Sequence, residues 1–218
     1  MTINILTLFP EMFNGVFSES IIKRAIEKEL VTINLINFRD YSTDPHKKVD
    51  DTPFGGGPGM VLTCQPIFDA VKALKTKDTK VILLTPSGTT YNQKMANNLK
   101  NEKDLIIICG HYEGFDDRIK SIVDFEISIG DYILTGGEIA AMVISDSIIR
   151  LLEGVISAES KISESFNDDL IDYPTYTKPR EYEGLRVPEV LLSGDHKKIE
   201  EYRRSEQIRL TKNKKDNI

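Results

Sequence analysis

Three short segments hold the residue types that could bind and orient a nucleotide-like ligand. Pro86-Ser87-Gly88 follows the apolar run KVILLT, Gly110-His111-Tyr112-Glu113-Gly114 follows DLIIIC, and Ile129 through Gly137 follows FEIS. Glycine adopts positive φ and lets a backbone approach another group closely. In open parallel sheets, ligands bind beyond the carboxyl ends of the strands. Taken alone, such loops also read as ordinary turns. None of the three is a G-x-G-x-x-G turn opening a helix, and no G-K-[ST] follows Gly55-Gly56-Gly57-Pro58-Gly59, which disfavours nicotinamide dehydrogenases and P-loop enzymes. His46, His111 and His196 share no metal-ligand spacing, and no Ser/His/Asp set is suggested.

The elements that must position these loops are legible as periodicity. Residues 3–9, 31–38, 80–85, 104–109 and 125–129 form apolar runs suited to strands buried on both faces. Helical spacing covers 11–28, 65–76, 91–100, 115–123 and 138–152. Strand–helix alternation implies crossover connections and a mostly parallel sheet, hence an α/β fold. The polar stretch 153–169, with its clustered acids, reads as a linker. Beyond it, Tyr173–Pro174, Lys178–Pro179 and Val187–Pro188 read as extended segments, and a helix is expected from about Asp195, an N-cap after Gly194.

Composition narrows the class. The 218 residues are 40% hydrophobic and 28% charged, as in a folded soluble chain, and no run is long enough for a membrane helix. MTINILTLFP lacks a basic n-region, so no signal peptide is expected. Cys64 and Cys109 are far apart, which together with the rest suits a reducing cytoplasm. The net charge of −6 is uneven. Between Lys197 and Lys215, eight basic residues face three glutamates, so an acidic body carries a basic arm. Charge alone reads equally as a solvated, salt-bridged helix.

PFGGGPGM (53–60), CGHYEG (109–114), SIGDYILTGGE (128–138), YTKPREYEG (176–184) and VPEVLLSGDH (187–196) together resemble, in order and spacing, the bacterial tRNA (guanine-37-N1)-methyltransferases, the TrmD family of the SPOUT class. The resemblance runs from the first strand to about Leu210. It implies an α/β domain with a deep trefoil knot over residues 1–153, a flexible linker over 154–170 and a small helical tRNA-binding domain over 171–218, shorter than in other members. It implies S-adenosylmethionine as methyl donor, held at Pro86, Gly110, Tyr112, Glu113, Ile129, Gly130, Asp131, Tyr132, Ile133, Leu134, Gly136 and Gly137. Main-chain groups in tight loops can read an adenine edge, while Ile129, Ile133 and Leu134 offer apolar faces for its ring.

Methylation at guanine N1 needs a base for the N1–H proton and a cation for the charge that builds on the adjacent carbonyl. The resemblance gives the second role to Arg150, which stands on an otherwise apolar helix. The family's Asp-Ser-Phe linker motif reads Glu164-Ser165-Phe166 here, so Glu164 is the expected base. Asp168 or Asp169 is the alternative base, though both fall off that register. Asp50, Gly59 and Ser165 are expected at the guanine, with His46, Lys47 and Lys48 near phosphate. Lys197, Lys198, Arg203, Arg204 and Arg209 are candidate contacts to the anticodon stem-loop backbone. The family's site lies at a homodimer interface, so a homodimer is implied, and no membrane partner. A magnesium requirement is also implied; the sequence offers no carboxylate cage, which leaves a solvated Mg2+ acting through RNA or one carboxylate. A competing expectation is a non-catalytic SPOUT-type RNA-binding relative in which Glu164 has lost the base function. An oxidoreductase on an ordinary doubly wound sheet is the other, and its missing fingerprint counts against it.

Overall fold

A computed structural model describes residues 1–157 and 170–216. The chain divides into two compact units, Met1–Ile156 and Ser157–Ile218. The first is built on five strands: β1 (Thr2–Thr7), β2 (Thr32–Asn37), β5 (Thr79–Thr90), β6 (Asp104–Ile108) and β7 (Phe125–Ser128). They pair in the order β2-β1-β6-β5-β7, every neighbour parallel. A two-residue hairpin, β3 (Asp50–Asp51) with β4 (Val61–Leu62), lies outside this sheet.

The strands follow from their apolar runs because side chains alternate between faces. Ile3, Ile5, Ile82, Leu84, Leu105 and Ile107 enter one core, while Leu6, Val81, Leu83, Ile106 and Ile108 enter the other. Helices α2 (Ser20–Glu27), α4 (Gln93–Leu99) and α5 (Glu138–Ile149) supply Ile22, Leu99 and Ile144 to the first. Helix α3 (Cys64–Leu74) supplies Ile67 and Val71 to the second. The short α1 (Asn14–Phe17) completes the helices of this unit, its Phe17 stacked on Phe13 at 5.5 Å. Burying both faces is what makes the runs nearly continuous rather than alternating.

Three segments depart from expectation. The helix expected over 11–28 is broken into a 3-10 helix over Pro10–Phe13, α1 and α2, with Glu19 extended before α2. The helix expected over 115–123 is a 3-10 helix over Asp117–Ile122, started by Asp116, whose carboxylate accepts the Arg118 N–H at 3.0 Å. Strand β5 does not stop at Thr85: Leu84 and Thr89 both pair with Ile127, so residues 85–88 bulge out of the ladder and rejoin it. Gly88 makes this path feasible, since a Cβ there would lie 2.5 Å from the Ile127 nitrogen.

The second unit holds a hairpin of β8 (Glu181–Tyr182) and β9 (Leu185–Arg186), then α6 (Glu189–Leu192) and α7 (His196–Asp216). Asp195 caps α7 as expected, its carboxylate accepting the Lys198 N–H at 3.2 Å. Among the described residues, no helix is long and apolar enough to cross a membrane.

Candidate active site

At the carboxyl ends of β6, β5 and β7, neighbours in the sheet, lies a cavity of about 450 Å3. The three segments singled out by composition form its wall, joined by the start of α5. Pro86, Gly110, Tyr112, Glu113, Ile129, Gly130, Tyr132, Ile133, Leu134, Gly136 and Gly137 all line it. Asp131 is exposed and does not.

What the glycines permit is chiefly loop-on-loop packing. A side chain at Gly110 would meet the Phe115 ring at 2.6 Å, one at Gly130 the Tyr132 ring at 2.5 Å, and one at Gly137 the Cys109 Cα at 2.8 Å. At these three positions the direction that a side chain would take is filled by protein. The loops are bound together as well: the Gly137 N–H donates to the Gly110 carbonyl at 2.8 Å. Tyr112, at φ 60°, sits in the left-handed region that non-glycine residues seldom occupy, and its half-exposed ring faces the cavity. Ile133 is 80% exposed there, an apolar face without a protein cover.

The wall is acidic. Glu113, Asp116 and Asp117 carry carboxylates into it, against the single ammonium of Lys120 and the ring of His111. The Arg118 guanidinium beside Asp116 holds that carboxyl below the usual range. Asp117 and then Glu126 hold Lys120 in its charged form. Asp116 is paired to Arg118 at 2.6 Å and Asp117 to Lys120 at 2.7 Å, so most of this charge is offset locally, and the size and apolar faces of the cavity suit a purine nucleoside.

The structure brings Gly59 to this site. Its absent side chain faces Glu113, and the Glu113 N–H donates to the Met60 carbonyl at 3.0 Å. Asp50 lies in β3 of the same hairpin, half-buried. Lys47 and Lys48 pair with the local acids Asp40 (2.8 Å) and Asp51 (3.5 Å). Arg150 is not brought to the cavity: it caps the far end of α5, about 18 Å along the helix from Glu138. Glu164 and Ser165, with Asp168 and Asp169, lie outside the described residues. In the second unit Lys197 and Arg204 are exposed, Lys198 pairs with Asp195 at 3.2 Å, and Arg209 bonds Glu206. Arg203 instead lies over the Tyr173 ring, 4.8 Å from its centroid.

Sequence reasoning missed the residues behind the wall. Glu138 is 1% exposed, bonded to Thr7 and to His111, and burial together with its charge pushes the Cys109 thiol up. Its signals were its place at the end of SIGDYILTGGE and as an acid in the first turn of a helix; nothing in the sequence tied it to Thr7.

A model of the family described as tRNA (Guanine-1)-methyltransferase TrmD matches residues 1–218. A tRNA (guanine-N(1)-)-methyltransferase of Malacoplasma penetrans is 61% identical over 217 residues, 99% of this chain and 96% of its own. That of Clostridioides difficile is 55% identical over 221 residues, with the same coverage, and one of Bacillus cereus is 54% identical, covering 97% of this chain and 88% of its own. With the cavity loops and the matched sequence running end to end, this chain belongs to the TrmD family of tRNA (guanine-1)-methyltransferases.

Proposed function

We propose that the protein transfers a methyl group from S-adenosylmethionine to N1 of guanosine 37, beside the anticodon of tRNA. The observation that carries this reading is the three-loop cavity at the strand ends, in a chain matched to the family over its whole length. The residues fit the donor: backbone of the 110–114 and 129–137 loops for an adenine edge, Ile129, Ile133 and Leu134 for its ring, and carboxylates for a cationic ligand. The donor supplies an electrophilic methyl on a sulfonium.

The chain's own residues do the rest. Glu164 takes the N1 proton as the nitrogen becomes nucleophilic. Arg150 offsets the charge that builds on the guanine carbonyl. Gly59 and Asp50, on the hairpin beside Glu113, seat the base. Because Arg150 stands about 15 Å along α5 from Ala140, which lines the cavity, it serves the cavity of a second copy, and the working form is a homodimer. Support comes from α5 itself, apolar almost throughout yet exposing Ile139 and Val143, beside exposed Met12 and Val16. The return of residues 85–90 across Ile127 is in keeping with a deep trefoil knot. Residues 1–153 would carry the donor, 154–170 the base, and 171–218 the anticodon stem-loop through Lys197 and Arg203. The enzyme would act in the cytoplasm. A solvated Mg2+ acting through RNA or one carboxylate is part of this reading, as the family's requirement implies.

The test is incorporation of labelled methyl into unmodified tRNA transcripts. Label is expected with G37 and absent when G37 is replaced by A; a chain that binds tRNA but incorporates nothing would be the non-catalytic relative. Glu164→Gln should keep donor binding and lower turnover by about 100-fold or more. Full turnover in that variant would move the base elsewhere.

A further inference from the structure

Behind the cavity runs a polar circuit that the reaction as described leaves unused. Glu138, the first residue of α5, is buried, and a buried carboxylate is costly unless its oxygens are satisfied. Both are. The Thr7 hydroxyl donates to Oε1 at 2.7 Å, and His111 Nε2 shares a hydrogen bond with Oε2 at 2.8 Å. Thr7 in turn accepts the Phe9 N–H at 2.9 Å, and the Phe9 ring lies 4.6 Å from that of His111, which closes the circuit. Three segments meet here: the end of β1, the loop after β6 and the start of α5, with Thr7 and Glu138 separated by 131 positions.

The circuit bears on the cavity without touching it at every member. His111, Gly136 and Gly137 line the wall, whereas Thr7 and Glu138 stand behind it. The 134–137 loop rests directly on the pair, since a side chain at Gly136 would lie 2.5 Å from Glu138 Oε2 and collide with His111. An apolar trio of the same volume would fill this space without burying a charge, so stability alone does not call for it. Hydrogen bonds add direction to distance, and donor recognition by main chain depends on where two loops stand relative to one another.

We propose that Thr7 and Glu138 are positioning residues for the methyl donor: through His111 they hold the 110–114 and 134–137 loops at the spacing that the donor requires. This rests on the donor-site reading above. Thr7→Val keeps the volume and removes the hydroxyl that pairs Glu138 and the Phe9 N–H. The expected result is a rise of about tenfold in the dissociation constant and KM for S-adenosylmethionine. The KM for tRNA and kcat at saturating donor should stay within about twofold, since those steps use other contacts. Thr7→Ser restores the hydroxyl and should restore donor binding. Glu138→Gln is the second variant, with the same direction expected, should the valine variant not fold. Thermal melts run alongside separate the two readings. A lowered melting temperature with donor affinity unchanged in the folded variants overturns the proposal, leaving the circuit a part of the core. If wild-type protein itself does not bind S-adenosylmethionine, the donor-site reading fails instead, a result that the wild-type titration alone decides.

Discussion

The two units of this chain are held together by different physics. In Met1–Ile156 two apolar clusters fill both faces of the sheet, with Ile3, Ile107 and Ile148 wholly enclosed. Among the described residues from 170 to 214, none is buried. There the order comes from surface contacts: the Arg186–Glu181 bond at 2.7 Å, the Ile171 N–H on the Thr211 hydroxyl at 2.9 Å, and Arg203 over Tyr173. Exposed ion pairs contribute roughly 0–1 kcal/mol each, far less than a wholly buried isoleucine. A site that reads its ligand through main-chain atoms needs the first kind of scaffold, because its loops must not move. In the proposed reading, an arm that meets an RNA backbone through Lys and Arg can use the second, since phosphate contacts tolerate adjustment.

That contrast breaks most sharply in the core. Ile107→Ala should destabilise the protein by about 2–5 kcal/mol in urea titrations. Ile208→Ala, on an exposed face of α7, should cost less than about 0.5 kcal/mol. Equal losses would mean that the second unit has a core of its own. Next, Gly88→Ala drives a methyl into the β7 backbone, which cannot give way as a side chain would. A loss of about 1–3 kcal/mol is expected, with donor affinity falling alongside, as read by calorimetry. Arg203→Ala removes the stacked guanidinium and should cost about 0.5–2 kcal/mol of stability. Its effect on tRNA binding should exceed that of Lys197→Ala, which is expected to lower the salt slope of tRNA affinity by about 1 and leave the melting temperature unchanged.

The smallest effect concerns pH. Asp116 has its folded pKa depressed below the ordinary 3.8, first by the Arg118 side chain. Its contribution is therefore present above pH 3.8 and is lost as the pH falls through the depressed folded value. Arg118, the partner in the pair, is open to solvent, so Asp116→Asn should flatten the acid limb of the stability curve only slightly. A steep acid transition abolished by that variant would show the cavity rim to be better shielded than its exposure indicates.

How much was legible varies with the range of the interaction. All five strands of the main sheet stood out because burial on both faces leaves long apolar runs. The two-residue pairings of β3–β4 and β8–β9 are too short to leave any period. Around the 3-10 helix, the apolar spacing of 115–123 was genuine, but Phe115 is committed to Gly110 and the Asp116 cap begins the turn after it. The cavity loops were found by motif, and eleven of the twelve expected donor residues line the cavity. Their glycines also let the loops pack on one another, since a side chain at Gly110, Gly130 or Gly137 would collide with Phe115, Tyr132 or Cys109.

By itself the sequence determined the element order, the parallel α/β architecture, the placement of three loops at strand ends and the family. These rest on local periodicity and on short motifs, which the order of residues carries directly. Only the tertiary structure decided that β5 passes beyond its bulge to pair twice with Ile127, that Gly59 stands against Glu113, and that Thr7, His111 and Glu138 share one buried carboxylate. Partners 131 positions apart leave no mark on a linear pattern. They meet because the sheet order sets β1 beside β6, and α5 begins where both of them end.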